Sequence, residues 1–230
     1  MSIDAHVHLP TAPELDTRQK QKQRLLAEMR ENGVEKCLLI ADSWQQSDIG
    51  NNQECLALFA DTPEVSVAAG VSPLVDFDRQ CRALAAWLEE GRVSGIKLYP
   101  GHEDFPLTAP ALERVYLLAQ RYAVPVLFHS SGGRFPGRGT PEEAAAVLQR
   151  HPGLTLVCCH CFAPHVESCL PLLRYPNLYF DISSLADTPR PPRQPGRPLP
   201  APLPRAPAAV MFRCASAAWS QRAHLPFGRR

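Results

Sequence analysis

Up to about Asp187, short apolar runs alternate with stretches of helical spacing. The runs are SIDAHVHL (2–9), KCLLIA (36–41), VSVAAGV (65–71), SGIKLY (94–99), VPVLFHS (124–130), LTLVCCHC (154–161) and LYFDIS (178–183). Each is short and largely apolar, the pattern of strands covered on both faces. Between them, Phe77, Cys81, Leu84, Ala85 and Leu88 recur at i, i+4, i+7, i+8 and i+11, and Leu112, Val115, Ala119 and Tyr122 form a similar stripe. Thr140-Pro141-Glu142-Glu143 reads as a helix start: a Thr cap, Pro in the first turn, then acids on the positive helix end. Seven strands with intervening helices predict an α/β fold with a parallel sheet and right-handed crossovers. An open doubly wound sheet is the alternative. No GxGxxG or GxxxxGK[ST] follows any strand, so nothing points to a nucleotide site.

Composition narrows this only a little. A chain of 230 residues, 45% hydrophobic and 20% charged, fits one large domain or one α/β barrel. No run approaches the roughly 20 apolar residues that a membrane helix needs. The start of the chain lacks the basic and apolar regions of a secretory signal. A cytoplasmic protein with no membrane association is the expectation, and its eight cysteines read as free thiols or possible ligands.

The net charge of +1 conceals two unlike parts. From Thr188 onward there are eight Arg and no Lys, Asp or Glu, which leaves 16 basic against 23 acidic residues in 1–187. Nine prolines fall within Thr188–Pro207, and such a stretch supports neither regular helix nor a central strand. The expected division is a barrel domain over 1–187 and an irregular basic tail over 188–230. The arginines lack the interleaved aromatics of a stacking platform, so no nucleic-acid partner is expected.

The chemistry lies in the histidines. Strand side chains alternate, so His6 and His8 share a face, roughly 6.6 Å apart along the strand, where two imidazoles can converge on one ion. His129 ends the fifth run, His160 lies near the end of the sixth and Lys97 late in the fourth. Parallel α/β proteins place their active sites at those strand ends. Neutral imidazoles suit a divalent metal, zinc first, and an open coordination position makes hydroxide available at neutral pH.

IDAHVHL, GIKLYP, PVLFHSS, HPGLTLVCCHC and YPNLYFDISS, in that order, resemble the amidohydrolase superfamily, and within it the amidohydrolase-related branch of metal-dependent hydrolases and decarboxylases. The resemblance runs from about Ile3 to about Leu185. It implies a (β/α)8 TIM-barrel-like fold, here incomplete, with seven strands and the eighth missing or degenerate. It further implies that His6, His8 and His129 are metal ligands. His160 matches a histidine that binds a second metal or contacts the substrate or catalytic water, and Lys97 matches a lysine that some members carboxylate to bridge two metals but that in this branch is more often unmodified, structural or substrate-facing; the two are the candidate catalytic residues. The expected substrate is a small molecule, cleaved at a C–N or C–O bond or decarboxylated.

The same resemblance predicts an eighth-strand Asp, metal ligand and general base, in a stretch like FGSDxPFG. No acidic residue follows Asp187. AAVMFRCAS (208–216) starts like a strand, but Arg213, Cys214 and Ser216 stand where the acid belongs, and His224 precedes a PFG-like flank. Catalysis is therefore expected to be impaired, the alternative being an inactive barrel that acts, if at all, as a binding protein. Several features have plainer readings. Alternation puts Cys158 on the face of His160, with Cys159 and Cys161 toward the helices, all as small apolar residues. Asp181 is either an outer partner of a metal histidine or a carboxylate accepting backbone hydrogen bonds. His102, His151 and His165 are expected to face solvent, and Arg134 and Arg138 to lie on the rim of the site in HSSGGRFPGRG (129–139).

Overall fold

The computed structural model describes residues 2–130 and 132–183. All seven apolar runs are strands: β1 (Ile3–Val7), β2 (Lys36–Ile40), β3 (Val65–Gly70), β4 (Gly95–Leu98), β5 (Val126–His129), β6 (Leu156–Cys159) and β7 (Leu178–Phe180). Five α-helices lie between them: α1 (Arg18–Glu31), α2 (Asn52–Leu58), α3 (Phe77–Glu89), α4 (Glu113–Tyr122) and α5 (Pro141–Arg150). The expected start of α5 is present, with the Thr140 hydroxyl accepting the Glu143 N–H at 3.2 Å and Pro141 in the first turn.

Every strand pair is parallel and the spatial order is β1 to β7 without a break. A doubly wound sheet reverses its order at a switch point, and this one never does. Each crossover therefore advances one strand in the same sense, which is barrel winding. The sheet curls far enough that His6 on β1 and Asp181, just beyond β7, meet at 2.7 Å. Among the described residues the barrel is incomplete: seven strands, with β1 and β7 each bonded to one neighbour. The region expected to hold an eighth strand, and the Thr188–Arg230 tail, lie outside the described residues.

The core has two compartments. The larger one lies between sheet and helices and includes Val7, Leu39, Val67, Leu98, Phe128 and Leu156 facing Leu25, Leu84, Val115 and Val147. The smaller fills the barrel interior with Ile40, Ala68, Leu127, Val157 and Cys159, packed by Leu38, Tyr99 and Tyr179. The interior is thus apolar at its base and polar toward the C-terminal strand ends.

Gly70 ends β3 against the exit of β2. A Cβ there would meet the Ala41 carbonyl oxygen and the Ser43 nitrogen, each at 2.6 Å. Asn52 also clamps Gly70, accepting from its N–H and donating to its carbonyl, both at 2.8 Å. Backbone cannot yield as a flexible side chain can. Gly70→Ala is expected to cost roughly 1–3 kcal/mol, read as a lower urea midpoint at unchanged slope. An unaltered midpoint would mean that the two strand exits are less tightly packed than this.

Candidate metal centre

His6 lies in a β-bulge. Four residues of β1, Asp4 to Val7, span what β2 covers in three, Cys37 to Leu39. Bulges re-aim side chains at barrel rims, and the Asp4 carboxylate fixes this one by accepting the His6 backbone N–H at 3.1 Å. His6 and His8 point into the barrel mouth with their Nε2 atoms 3.3 Å apart. His160 follows with its ring 5.1 Å from that of His6, then His129 at 4.9 Å from His160. The four histidines thus form one contiguous group, as their strand positions predict. His102 extends it. Its side chain is exposed, as expected, yet the ring lies 4.1 Å from that of His129.

Three of these imidazoles have a determined tautomer. The Nδ1–H of His6 donates to Asp181 Oδ2 at 2.7 Å, and that of His8 to the Ile40 carbonyl at 3.0 Å. His160 Nδ1 lies 3.1 Å from the Ser183 carbonyl and 2.7 Å from its hydroxyl oxygen. Carboxylate and carbonyl oxygens only accept, so the proton is on Nδ1 in each ring and Nε2 presents a lone pair. All three rings are held neutral. Burial lowers the pKa of His6, aided by the Lys97 charge and opposed by Asp181. Burial, then His6 and Lys97, lower His8 further. Burial, Lys97 and His6 push His160 down to about 3. Burial raises Asp181, but its interactions with His6, the hydrogen bond to that ring among them, and then those with His160 and Lys97 outweigh this and keep it an anion.

Two neutral imidazoles facing each other through lone pairs at 3.3 Å repel unless a cation lies between them. Ligand nitrogens about 2.1 Å from a tetrahedral ion lie about 3.4 Å apart. The pair therefore fits a zinc-like ion. His6, His160 and Asp181 also bring one ligand atom each to within 4.8 Å of one another. Asp181 thereby brings a negative charge to the histidine group, behind the His6 ring.

Asp181 fills both roles the sequence left open. One oxygen orients His6, and the other accepts the backbone N–H groups of His160 at 2.9 Å and Ser183 at 3.0 Å. Ser183 was not singled out from the sequence. Its hydroxyl touches His6, His160 and Asp181 together, and it is buried. The available signal was parity, since Ser183 follows Asp181 by two positions. Lys97 is fully buried, donates to Cys159 Sγ at 2.9 Å and lies over the Tyr99 ring.

Three expectations fail, each for a local reason. Cys159 faces the barrel interior and Cys158 the helix side, the reverse of the alternation counted back from His160. β6 ends at Cys159, and His160, Cys161 and Phe162 all take left-handed backbone at φ 66°, 50° and 55°. A pleat cannot be counted through such a turn, which costs on the order of 3–6 kcal/mol for three residues with side chains. His151 is buried rather than solvent-facing, because it caps α5 and turns its ring onto Tyr116 and Glu113, with Nε2 3.2 Å from Oε2. Arg138 does not stand open on the rim; it binds Asp104 through two nitrogens at 2.9 and 3.0 Å. His165 and Arg134 are exposed, as expected.

Folding keeps three histidines neutral that would titrate near 6.5 in the unfolded chain. Below that pH the unfolded state takes up protons that the folded state refuses, so stability is present above 6.5 and lost as pH falls toward 3. Asp181, depressed from 3.8, acts in the same direction at the acid end. Urea melts of the metal-free chain are expected to lose up to about 1.4 kcal/mol per pH unit for each buried histidine below 6.5. A flat profile between pH 7 and 5 would contradict the buried neutral assignment.

An incomplete parallel β/α barrel with histidines at the C-terminal strand ends is a fold and site shared with metal-dependent hydrolases and decarboxylases. The chain belongs to the amidohydrolase family, whose model matches residues 3–212. That match passes the compositional break near Asp187 and reaches Phe212. Similar solved structures share the fold. An uncharacterized TIM-barrel protein from Bordetella bronchiseptica aligns at TM-score 0.66 and 20% identity, over 81% of this chain and 78% of its own. An amidohydrolase II aligns at TM-score 0.57 and 16% identity, over 90% and 81%. A 5-carboxyvanillate decarboxylase from Novosphingobium aromaticivorans, with bound manganese and a nitrobenzoic acid, aligns at 0.54 and 11%, over 80% and 79%. No curated protein matches the sequence significantly. No helix among the described residues is long and apolar enough to cross a membrane.

Proposed function

We propose that this chain holds a divalent metal, zinc first, through His6 and His8, with His129 and His160 completing the set and Asp181 anchoring it. The observation that carries this is the facing Nε2 pair at 3.3 Å, both lone pairs exposed by acceptors on the opposite ring nitrogens. An imidazole-rich set with one carboxylate suits zinc better than the harder ions. When bound, the metal supplies Lewis acidity toward a water or a substrate oxygen.

The chain's own residues do the rest. Asp181 holds the His6 tautomer and position, and Ile40 does the same for His8. The loops after β4 and β5 are joined by the Phe135 N–H on the Gly101 carbonyl at 2.8 Å, and they shape the mouth beside His102 and His129. With Arg138 committed to Asp104, Arg134 is the rim arginine available to a substrate carboxylate. The reaction is hydrolysis of a C–N or C–O bond in a small molecule, or a related decarboxylation. We infer that these 230 residues turn over slowly, because 188–230 carry no acid to serve as general base. The second reading, an inactive barrel that binds rather than turns over its ligand, is favoured by that same absence.

The test is metal content by mass spectrometry. The wild-type chain is expected to retain about one zinc after dialysis against trace zinc, and the His6→Ala/His8→Ala double variant little or none, with circular dichroism confirming that both are folded. Equal content in the two would refute the assignment.

A further inference from the structure

The thiols near the site differ from those elsewhere. Cys37, Cys55 and Cys81 are each buried in the layer between sheet and helices. Cys161 lies in that layer too, with the partly buried Cys169 packed beside it. Cys169 lies half-buried in the 3₁₀ helix Val166–Arg174, its Sγ 3.5 Å from the Cys161 carbonyl oxygen. Cys161 follows His160 directly in the left-handed turn, and its thiol donates to the Asp181 carbonyl at 2.9 Å. Cys169 is therefore the more accessible of the two thiols, and Cys161 is attached to the two residues that organise the site.

We propose that Cys161 and Cys169 are a reversible dithiol–disulfide pair, oxidised by a low-molecular-weight disulfide of the glutathione class, and that the bond loosens the His160–Asp181 corner. The Cys169 sulfur attacks the small disulfide, forming a mixed disulfide and releasing one small thiol. The Cys161 sulfur then attacks the Cys169 sulfur and releases the second. Two protein thiols give up two electrons and two protons, and one small disulfide becomes two thiols. In the bonded state Cys161 has no S–H, so its donation to the Asp181 carbonyl ends. The turn through His160 is already strained, so it moves readily once that tie is lost. The bond itself is independent of the metal, and its significance for activity rests on the metal reading above.

The experiment uses the full-length, metal-free chain, so its failure is distinct from failure to bind metal. The chain is equilibrated in mixtures of oxidised and reduced glutathione, alkylated, and mapped as unreduced peptides. A peptide joining Cys161 to Cys169 is expected, abolished by dithiothreitol and by Cys169→Ser but kept in Cys81→Ser. In imidazole NMR spectra, the His160 and His6 resonances are expected to shift between reduced and oxidised wild type, and not in Cys169→Ser. Mapping and spectra of the wild type need no variant, so a misfolded substitution cannot obscure them. The proposal is overturned if both thiols stay free where dithiothreitol is fully oxidised, if Cys161 pairs with Cys158 instead, or if the bond forms and the histidine resonances do not move.

Discussion

Asp181→Asn is expected to weaken metal binding about 10- to 100-fold while leaving the barrel folded, the usual penalty for removing an outer carboxylate behind a ligating histidine. The carboxylate accepts on both sides, from the His6 ring on one oxygen and from the His160 and Ser183 N–H groups on the other. An amide has one accepting oxygen and one donating nitrogen, so one side must face a donor with a donor. If the nitrogen turns to His6, the ring shifts its proton to Nε2, and the lone pair meant for the ion becomes an N–H aimed at His8. If it turns the other way, the His160 and Ser183 amides lose their acceptor. Zinc competition titrations against a chromogenic chelator measure the loss. Wild-type affinity in a folded Asp181→Asn chain would mean that Asp181 does not set the ligand tautomer.

The larger effect concerns turnover. The chain as it stands is expected to hydrolyse amides and lactones, and to decarboxylate aromatic acids, at least about 10²- to 10⁴-fold more slowly than a version supplied with the missing base. The comparison replaces residues from 188 onward with a helix and a strand ending in Phe-Gly-Ser-Asp. That acid would serve both as general base and as ligand, so two deficits are repaired together. His224 is the native residue nearest in kind, since imidazole can ligate and accept a proton. A base that replaces the acid must be held to within about an ångström of the reacting water, and the repaired chain tests whether His224 meets that demand. Equal rates for the native and repaired chains, on a substrate that either turns over, would show that the base is supplied from elsewhere.

Strand existence was legible because buried parallel strands are apolar nearly throughout, and the LYFDIS run reads that way despite its aspartate, whereas the barrel order came only from the family resemblance. The amphipathic stripes of α3 and α4 were equally plain. By contrast α1 is written RQKQKQRLLAEMRE, with few apolar positions, and it is held by a Thr17 cap and by burial of Leu25 and Met29. The convergence of the four histidines followed from strand parity and chain order. What parity could not give was anything past a strand end. The β1 bulge, the left-handed turn after Cys159 and the return of Ser183 under His6 and His160 are set by tertiary contact. The reversed cysteine faces and the central position of Asp181 both trace to those departures from a regular pleat.

The central claim is a cation between the imidazoles of His6 and His8. Crystals grown with zinc, with diffraction recorded on both sides of the zinc absorption edge, test it most directly. The account predicts one strong anomalous peak about 2.1 Å from both Nε2 atoms, with Asp181 still on His6 Nδ1 and the Ile40 carbonyl still on His8 Nδ1. Zinc bound only at the cysteines around Cys161, or no peak beside a His6/His8 pair that keeps its present geometry, would contradict it.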